Sequence, residues 1–305
     1  MIVHVTTPDN NRTLSAFIAG PAREAGLDMR SMTYAELSRA PPRTLPRATW
    51  IFSDTDILDP GPAARAAHVC NALAARGDRL LNHPTRSMAR YELLRALRHA
   101  GINDFDVYRA TDARAPQRYP VFVRWINAHT GPLSPLLANR NDLQRFYRVL
   151  LGQGWPRDVL MAVEHCDTRE ASGLVRQYGA FRVGATIIPE HLWFSERWAI
   201  KAADGWEFEG GIDRSLLYAE EERYVAGNPH EPELRRIFDL ARIEYGRIDY
   251  GMLDGRIQVW EINTNPDVTL EWRARPGRDS SGLLERFMVR FTAALAGIGG
   301  TEGTA

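Results

Sequence analysis

Apolar and polar positions change period along the chain so that short strands alternate with amphipathic helices. Ile2-Val3-His4-Val5-Thr6 reads as a buried strand and 14–25 as a helix closed by Gly26. After the Pro-rich connection 40–46, Trp50-Ile51-Phe52-Ser53 reads as a second buried strand. From Pro62 the apolar positions Ala66, Val69, Cys70 and Leu73 recur at helical spacing up to Gly77, and Leu80-Leu81 makes a short strand. Strands alternating with helices in this way predict a small open α/β unit over residues 1–82. Asn82-His83-Pro84-Thr85 then introduces a helix with Leu93, Leu94, Leu97 and Ala100 inward. Strands follow at 119–125 and 159–164, separated by a helix capped by Asn141 with Leu143, Phe146, Tyr147 and Leu150 on one face. Residues 175–188 read as two strands or one long bent one, and 207–222 as an acidic, irregular stretch that could form a lid. Pro232 starts a helix with Leu234, Ile237, Phe238 and Ala241 inward. A last amphipathic helix carries Leu284, Phe287, Met288 and Phe291, and 297–305 is expected to fray.

The most informative alternation lies in 247–266. Ile248, Tyr250 and Met252 share one face of a strand, with Arg247, Asp249 and Gly251 on the other. In the next strand Trp260 and Ile262 oppose Val259, Glu261 and Asn263. Leu253-Asp254-Gly255 suits a three-residue hairpin loop with Gly in the left-handed conformation. That loop pairs Met252 with Arg256 and places Arg247 opposite Glu261 and Asp249 opposite Val259. Asp249 and Glu261 become diagonal neighbours, about 7–8 Å apart at the backbone. Asn263 points the same way. Two carboxylates, an amide oxygen and a guanidinium thus crowd one side. Hard oxygen ligands of this kind suit Mg²⁺ shared with substrate phosphates. The alternative is an amphipathic hairpin with a solvated polar face; the three oxygen ligands and the Asn-Thr-Asn-Pro that ends the strand favour the metal.

Composition narrows the setting. The 305 residues are 44% hydrophobic, enough for two or three cores. Charges balance at 38 of each sign, so no global field recruits nucleic acid or a membrane. Lys201 is the only lysine, so phosphate contacts must fall almost entirely to arginine, whose planar fork binds phosphate oxygens in pairs. Cys70 and Cys166 form no spaced pair, which suits a reduced interior. With no signal-like or membrane-length apolar run, a cytoplasmic protein is expected. No Gly-x-Gly-x-x-Gly follows either early strand, which argues against a dinucleotide fold. Asp54 and Asp56, at a strand's carboxyl end, either line a substrate cleft or cap the next helix.

The 247–266 hairpin also resembles the metal-binding hairpin of the ATP-grasp superfamily, in the form found in D-alanine–D-alanine ligases. There an Arg-x-Asp-aromatic strand precedes a Glu-x-Asn-Thr-x-Pro strand, matched here by Arg247, Asp249, Tyr250, Glu261, Asn263, Thr264 and Pro266. Asp267 stands where that family usually has Gly. The resemblance implies a mixed α/β and α+β molecule: a small N-terminal Rossmann-like, pre-ATP-grasp domain (1–82) and an ATP-grasp domain (83–296) with subdomains 83–164 and 165–296, before a flexible tail.

By the same resemblance the cofactors are ATP and Mg²⁺, with Mn²⁺ admitted in its place, and Asp249, Glu261 and Asn263 are the metal ligands. Arg124 replaces a strand-end Lys at the α-phosphate, and one of Arg86 and Arg90, taken as Arg90, reaches the nucleotide. Glu164, His165 and Asp167 belong to the hinge that meets adenine and ribose, with Glu170 a further candidate. Arg182, Arg247 and Lys201 are expected to steady charge around the transferred phosphoryl group. In the loop 127–134, which has one Gly where relatives are Gly-rich, His129 is either a phosphate contact or a polar loop residue. The implied chemistry is ligation of a small-molecule carboxylate to an amine through an acylphosphate. A kinase acting on a hydroxyl, or a non-catalytic nucleotide-binding protein, are the alternatives. Neither nucleic acid nor membrane is an expected partner; a homodimer is compatible with the family.

Overall fold

A computed structural model describes residues 1–128, 131–200, 213–268 and 282–299. Its strands gather into three sheets. The first is parallel, with β1 (Ile2–Thr6) between β2 (Met29–Thr33) and β3 (Thr49–Phe52), and β4 (Arg79–Leu81) beyond β3. Its connections are α1 (Ser15–Phe17), which continues as a π-helical turn over Ile18–Ala22, α2 (Tyr34–Arg39) and α3 (Pro60–Ala75). β1 and β3 are buried along their whole length, as uninterrupted apolar runs in a parallel sheet require. The pair β2 and α2 has no counterpart in the expected elements. Thr33 ends β2 and begins α2 through a reciprocal capping box with Glu36.

After α4 (Arg90–His99), β5 (Val107–Arg109), β6 (Val121–Trp125) and β7 (Leu160–Glu164) form an antiparallel sheet with β7 in the middle, backed by α5 (Arg140–Gly152). α4 starts later than its introductory residues suggest, so Arg86 lies outside it and Arg90 begins it. Asn139, not Asn141, caps α5, accepting hydrogen bonds from the backbone N–H groups of Asn141 and Asp142.

The third sheet has the order β11-β10-β8-β9, all antiparallel, from β8 (Val175–Val183), β9 (Thr186–Ser195), β10 (Tyr245–Leu253) and β11 (Arg256–Asn263). The region 175–188 is thus two strands. α6 (Arg214–Gly227) packs on β9 and occupies most of the stretch expected to be irregular, and α7 (Glu231–Ala241) leads into β10. In α7 the inward residues are Leu234, Ile237, Phe238 and Ala241, as the spacing predicts. α8 (Leu283–Gly299) runs into the residues expected to fray, because Leu295 and Ile298 are buried. Its apolar face joins Ile2 and Phe17 of the first sheet's layer to Phe181 and Val183 of the third.

Two polar links fix the first sheet to the third. Asn82 donates to the carbonyls of Phe52 (3.1 Å) and Tyr245 (2.7 Å) and accepts from the N–H of Glu244 (2.8 Å). Asp54 and Asp56 supply the other. Asp54 accepts from Thr6 Oγ1 (2.6 Å), Asn10 Nδ2 (2.9 Å) and Asn265 Nδ2 (3.0 Å), while Thr264 Oγ1 donates to Asp56 (3.3 Å). The residue at the N-cap of α3 is Asp59. Asp54 and Asp56 are therefore neither caps of that helix nor freely presented cleft residues: they pin the Asn-Thr-Asn segment after β11 to the carboxyl ends of β1 and β3.

Candidate functional site

A cavity of about 570 Å³ opens between the two antiparallel sheets. Phe122 and Arg124 of β6 and Val163 and Glu164 of β7 form one side. Gln177, Trp193, Arg247, Asp249, Trp260 and Glu261 form the other. Leu94, Phe105 and Trp198 extend the apolar part of the wall, and Trp198 packs against Phe122 with ring centroids 4.9 Å apart. An apolar wall with a few convergent charges is the usual make-up of a small-molecule site.

The charges converge because the hairpin differs from its expected register in two compensating ways. Asp254 and Gly255 both have positive φ, 49° and 74°, so the loop has two residues and Leu253 pairs with Arg256. Continued without interruption, that pairing would set Asp249 opposite Trp260 and turn Glu261 towards the core. A bulge between Asp249 and Tyr250 restores the parity: Tyr250 pairs with Val259, Asp249 with Glu261 and Arg247 with Asn263. Trp260 is the extra residue, and Val259 joins the core instead of the polar face. A second bulge lies beside the first, with Glu190 the extra residue where Gly179 pairs with His191 and Ala180 with Pro189. One row across the whole sheet consequently reads His191, Gly179, Asp249, Glu261. The missing side chain of Gly179 is replaced by the His191 ring; a Cβ there would lie 2.1 Å from His191 Cε1.

Each carboxylate on this row is matched by arginine. Arg247 Nε and Nη2 donate to the two oxygens of Asp249 (3.0 and 3.2 Å), and its Nη1 lies 3.6 Å from Glu190 Oε2. Glu261 Oε2 is bonded by Arg90 Nη2 and lies 3.5 Å from Arg124 Nη2. Arg90, at the start of α4, also donates to the carbonyls of Ile126 (2.9 Å) and Ala128 (2.7 Å). Burial, aided by the neighbouring Arg90, pushes the Arg124 guanidinium down to about 10, which leaves it charged at neutral pH. Arg124 Nε is buried and finds no protein acceptor among the described residues. Asn263 Oδ1 accepts from the N–H of Asn265 (2.8 Å) and keeps a second lone pair.

Not every expected site residue reaches the cavity. Arg182 pairs with Gly246 while Phe181 pairs with Arg247, so Arg182 projects from the opposite face. It bonds Asp239 of α7 (2.6 Å) and the carbonyl of Gly184 (2.8 Å). Asp167 is exposed and held by the N–H of Arg169 (3.1 Å), outside the cavity wall. Glu164 lines the cavity, yet its carboxylate is occupied: it accepts from the N–H groups of Asp106, Gln117 and Arg118, from Tyr108 Oη and from Arg118 Nε, all between 3.1 and 3.2 Å. His165 stands edge-on to Trp198 at 5.4 Å on the wall, its pKa lowered by burial against the opposing pull of Asp167. Cys166 is also on the wall, and burial pushes its thiol up to about 11, so it is not a nucleophile at neutral pH. Lys201 and His129 lie outside the described residues. The tryptophans of the wall, Glu190 and His191 were not singled out by sequence; the one signal for them is the long apolar run of β9 interrupted by Pro189-Glu190-His191.

Comparison of the sequence with protein-family models and with curated proteins gives no match. Among solved structures the fold is similar to that of D-alanine–D-alanine ligase from Bacillus anthracis complexed with ATP: TM-score 0.50, 12% identity, covering 96% of this chain and 99% of that one. L-amino acid ligase from Bacillus licheniformis matches with TM-score 0.51 and 13% identity over 96% of this chain and 74% of that one. The ATP-grasp ligase PsnB, complexed with a phosphomimetic precursor variant, Mg and ADP, matches with TM-score 0.52 and 14% identity over 97% and 96%. The chain has the fold of the ATP-grasp superfamily.

Proposed function

We propose that the protein is an ATP- and Mg²⁺-dependent ligase that joins a carboxylate to an amine through an acylphosphate. The observation that carries the reading is the cavity between the two antiparallel sheets, with Asp249 and Glu261 side by side at its charged end and arginines on both. The solved ligases of the same fold include one with ATP and one with Mg and ADP, which supports the nucleotide and the metal. In this reading residues 1–82 form the small domain before the ATP-grasp domain, and the cavity lies where 83–164 meets 165–296.

The donor set fits the group. Among the described residues no three His, Cys, Asp or Glu side chains converge on a metal position. Two carboxylates and the amide oxygen of Asn263 would instead hold Mg²⁺ that completes its shell with phosphate oxygens and water. Bound there, the metal would neutralise charge on the β- and γ-phosphates. Arg124, whose buried Nε lacks an acceptor among the described residues, and Arg90 would exchange Glu261 for phosphate oxygens. Arg247, held between Asp249 and Glu190, would face the acylphosphate and keep its charge in place through the transfer. The wall of Phe122, Trp198 and Trp260 would cover the base and exclude water. No enzyme nucleophile is needed, because the substrate carboxylate attacks phosphorus and the amine then displaces phosphate.

A screen of amino acids and small carboxylates, alone and paired with amines, should give ADP and inorganic phosphate only when both substrates are present. Appearance of the γ-phosphate in a stable ester would convert the reading to a kinase. ATP binding without turnover on any pair would leave a nucleotide-binding protein.

A further inference from the structure

A second cleft, also of about 570 Å³, shares Glu164 with the first. Arg95 and Arg98 come from the last turns of α4, and Arg114 and Arg118 from the segment after β5. Asp106 and Glu164 form its buried acidic floor. The acids are fully engaged. Asp106 takes Arg95 on both oxygens, Arg114 at 3.2 Å and the N–H of Val107 at 2.8 Å. Burial opposes it, but these bonds hold the Asp106 carboxyl below its usual range. Glu164 receives five donors, including Arg118 Nε. Among the residues that line the cleft four guanidiniums thus meet two carboxylates, a surplus of two positive charges.

The surplus is directed at the cleft. Among the described residues Arg98 meets only the carbonyl of Asn103, at a long 3.4 Å, and Arg114 spends one nitrogen on Asp106. Arg95, Arg114 and Arg118 are each anchored on a buried carboxylate. Anchored side chains lose little freedom on binding. Guanidinium forks match phosphate oxygens in pairs, and several converging on one space select for a multivalent anion over a halide. We propose that this cleft is a binding site for a small multivalent phosphate anion of the pyrophosphate class, separate from the nucleotide cavity. The inference does not rest on the ligase reading.

The test is calorimetric titration of pyrophosphate, with chelator present, into the full chain and into three variants. The wild type should bind, Arg98→Ala/Arg114→Ala should weaken binding by roughly tenfold or more, and Arg124→Ala, which removes a phosphate contact of the nucleotide cavity, should still bind. Both replaced arginines are exposed, so the double variant should keep its melting temperature; Arg98→Glu/Arg114→Glu should abolish binding outright. Wild-type affinity in the double variant would overturn the proposal, as would loss of binding in Arg124→Ala, which would move the anion to the nucleotide cavity. An equal heat from potassium chloride at matched ionic strength would reduce the effect to screening and overturn it as well.

Discussion

His4 is buried on β1 with Nε2 2.8 Å from Ser53 Oγ, and burial, against the opposing Asp54, pushes its imidazole down from 6.5 to about 4. A histidine held neutral in the fold binds fewer protons than in the unfolded chain, so its contribution is complete above pH 6.5 and is lost as pH falls towards 4. A shift of that size corresponds to roughly 3 kcal/mol. Urea unfolding between pH 7 and pH 4 should show this decline, and His4→Gln should remove that part of it; an unchanged slope in the variant would assign the acid sensitivity to other groups. Arg124 is the residue through which the nucleotide is most easily tested. Its replacement by Ala should weaken ATP binding roughly ten- to a hundredfold, the range for a hydrogen bond to a charged group, with the fold retained. Wild-type affinity would refute its role. Glu261 and Asn263 were readable as one face because alternation fixes parity within a strand, whereas Asp249 on the neighbouring strand joins them only because the two-residue loop and the bulge offset each other. Arg182 was not readable, since its parity relative to β10 depends on a pairing that no residue type announces.

Among the elements, the two β-bulges decide the site, and neither could be read in advance. Trp260 is an ordinary strand residue by type, so the sequence offers no sign that it is an extra one, and at Glu190 the interruption Pro189-Glu190-His191 marks an irregularity without saying which residue is extra. The two-residue loop was equally hidden, because Leu253-Asp254-Gly255 fits either loop length until pairing is known. α6 escaped for a different reason: its buried set mixes Leu217, Tyr224 and Val225 with Glu221, whose carboxylate accepts from the N–H of Leu192 at 3.2 Å. A helix that docks partly through a carboxylate shows no clean apolar stripe. α4 and α7 dock through leucine, isoleucine and phenylalanine, and their inward residues Leu93, Leu94 and Leu97 and Leu234, Ile237, Phe238 and Ala241 were legible, although α4 begins only at Arg90 and Ala100, expected inward, is exposed. The row His191–Gly179–Asp249–Glu261 can be probed at its missing side chain. Gly179→Ala would force a Cβ into the fully buried His191 ring and should destabilise the fold by about 1–3 kcal/mol. In a double-mutant cycle, His191→Ala should recover part of that loss. Additive costs would mean that the ring and the glycine are not packed against each other as described.

At the scale of the molecule, three sheets and α8 place the hairpin at the meeting of everything else. Its polar face looks into the cavity, its apolar face joins the largest core, and the loop after it is tied to the first sheet through Asn265 and Asp54. No helix among the described residues is long and apolar enough to cross a membrane. The fold was largely legible because a few motif residues and the order of elements suffice to mark it, while the wall of the cavity depends on aromatic residues brought together from three strands and two loops. The role proposed for Glu261, beside Asp249, is to help hold a metal-bound nucleotide. Thermal unfolding with and without Mg·ATP tests it most directly. The wild type should melt higher with Mg·ATP than without, whereas Glu261→Gln, which preserves volume, should show little or no shift whatever its own starting stability. A wild-type shift in Glu261→Gln would contradict the assignment of the site.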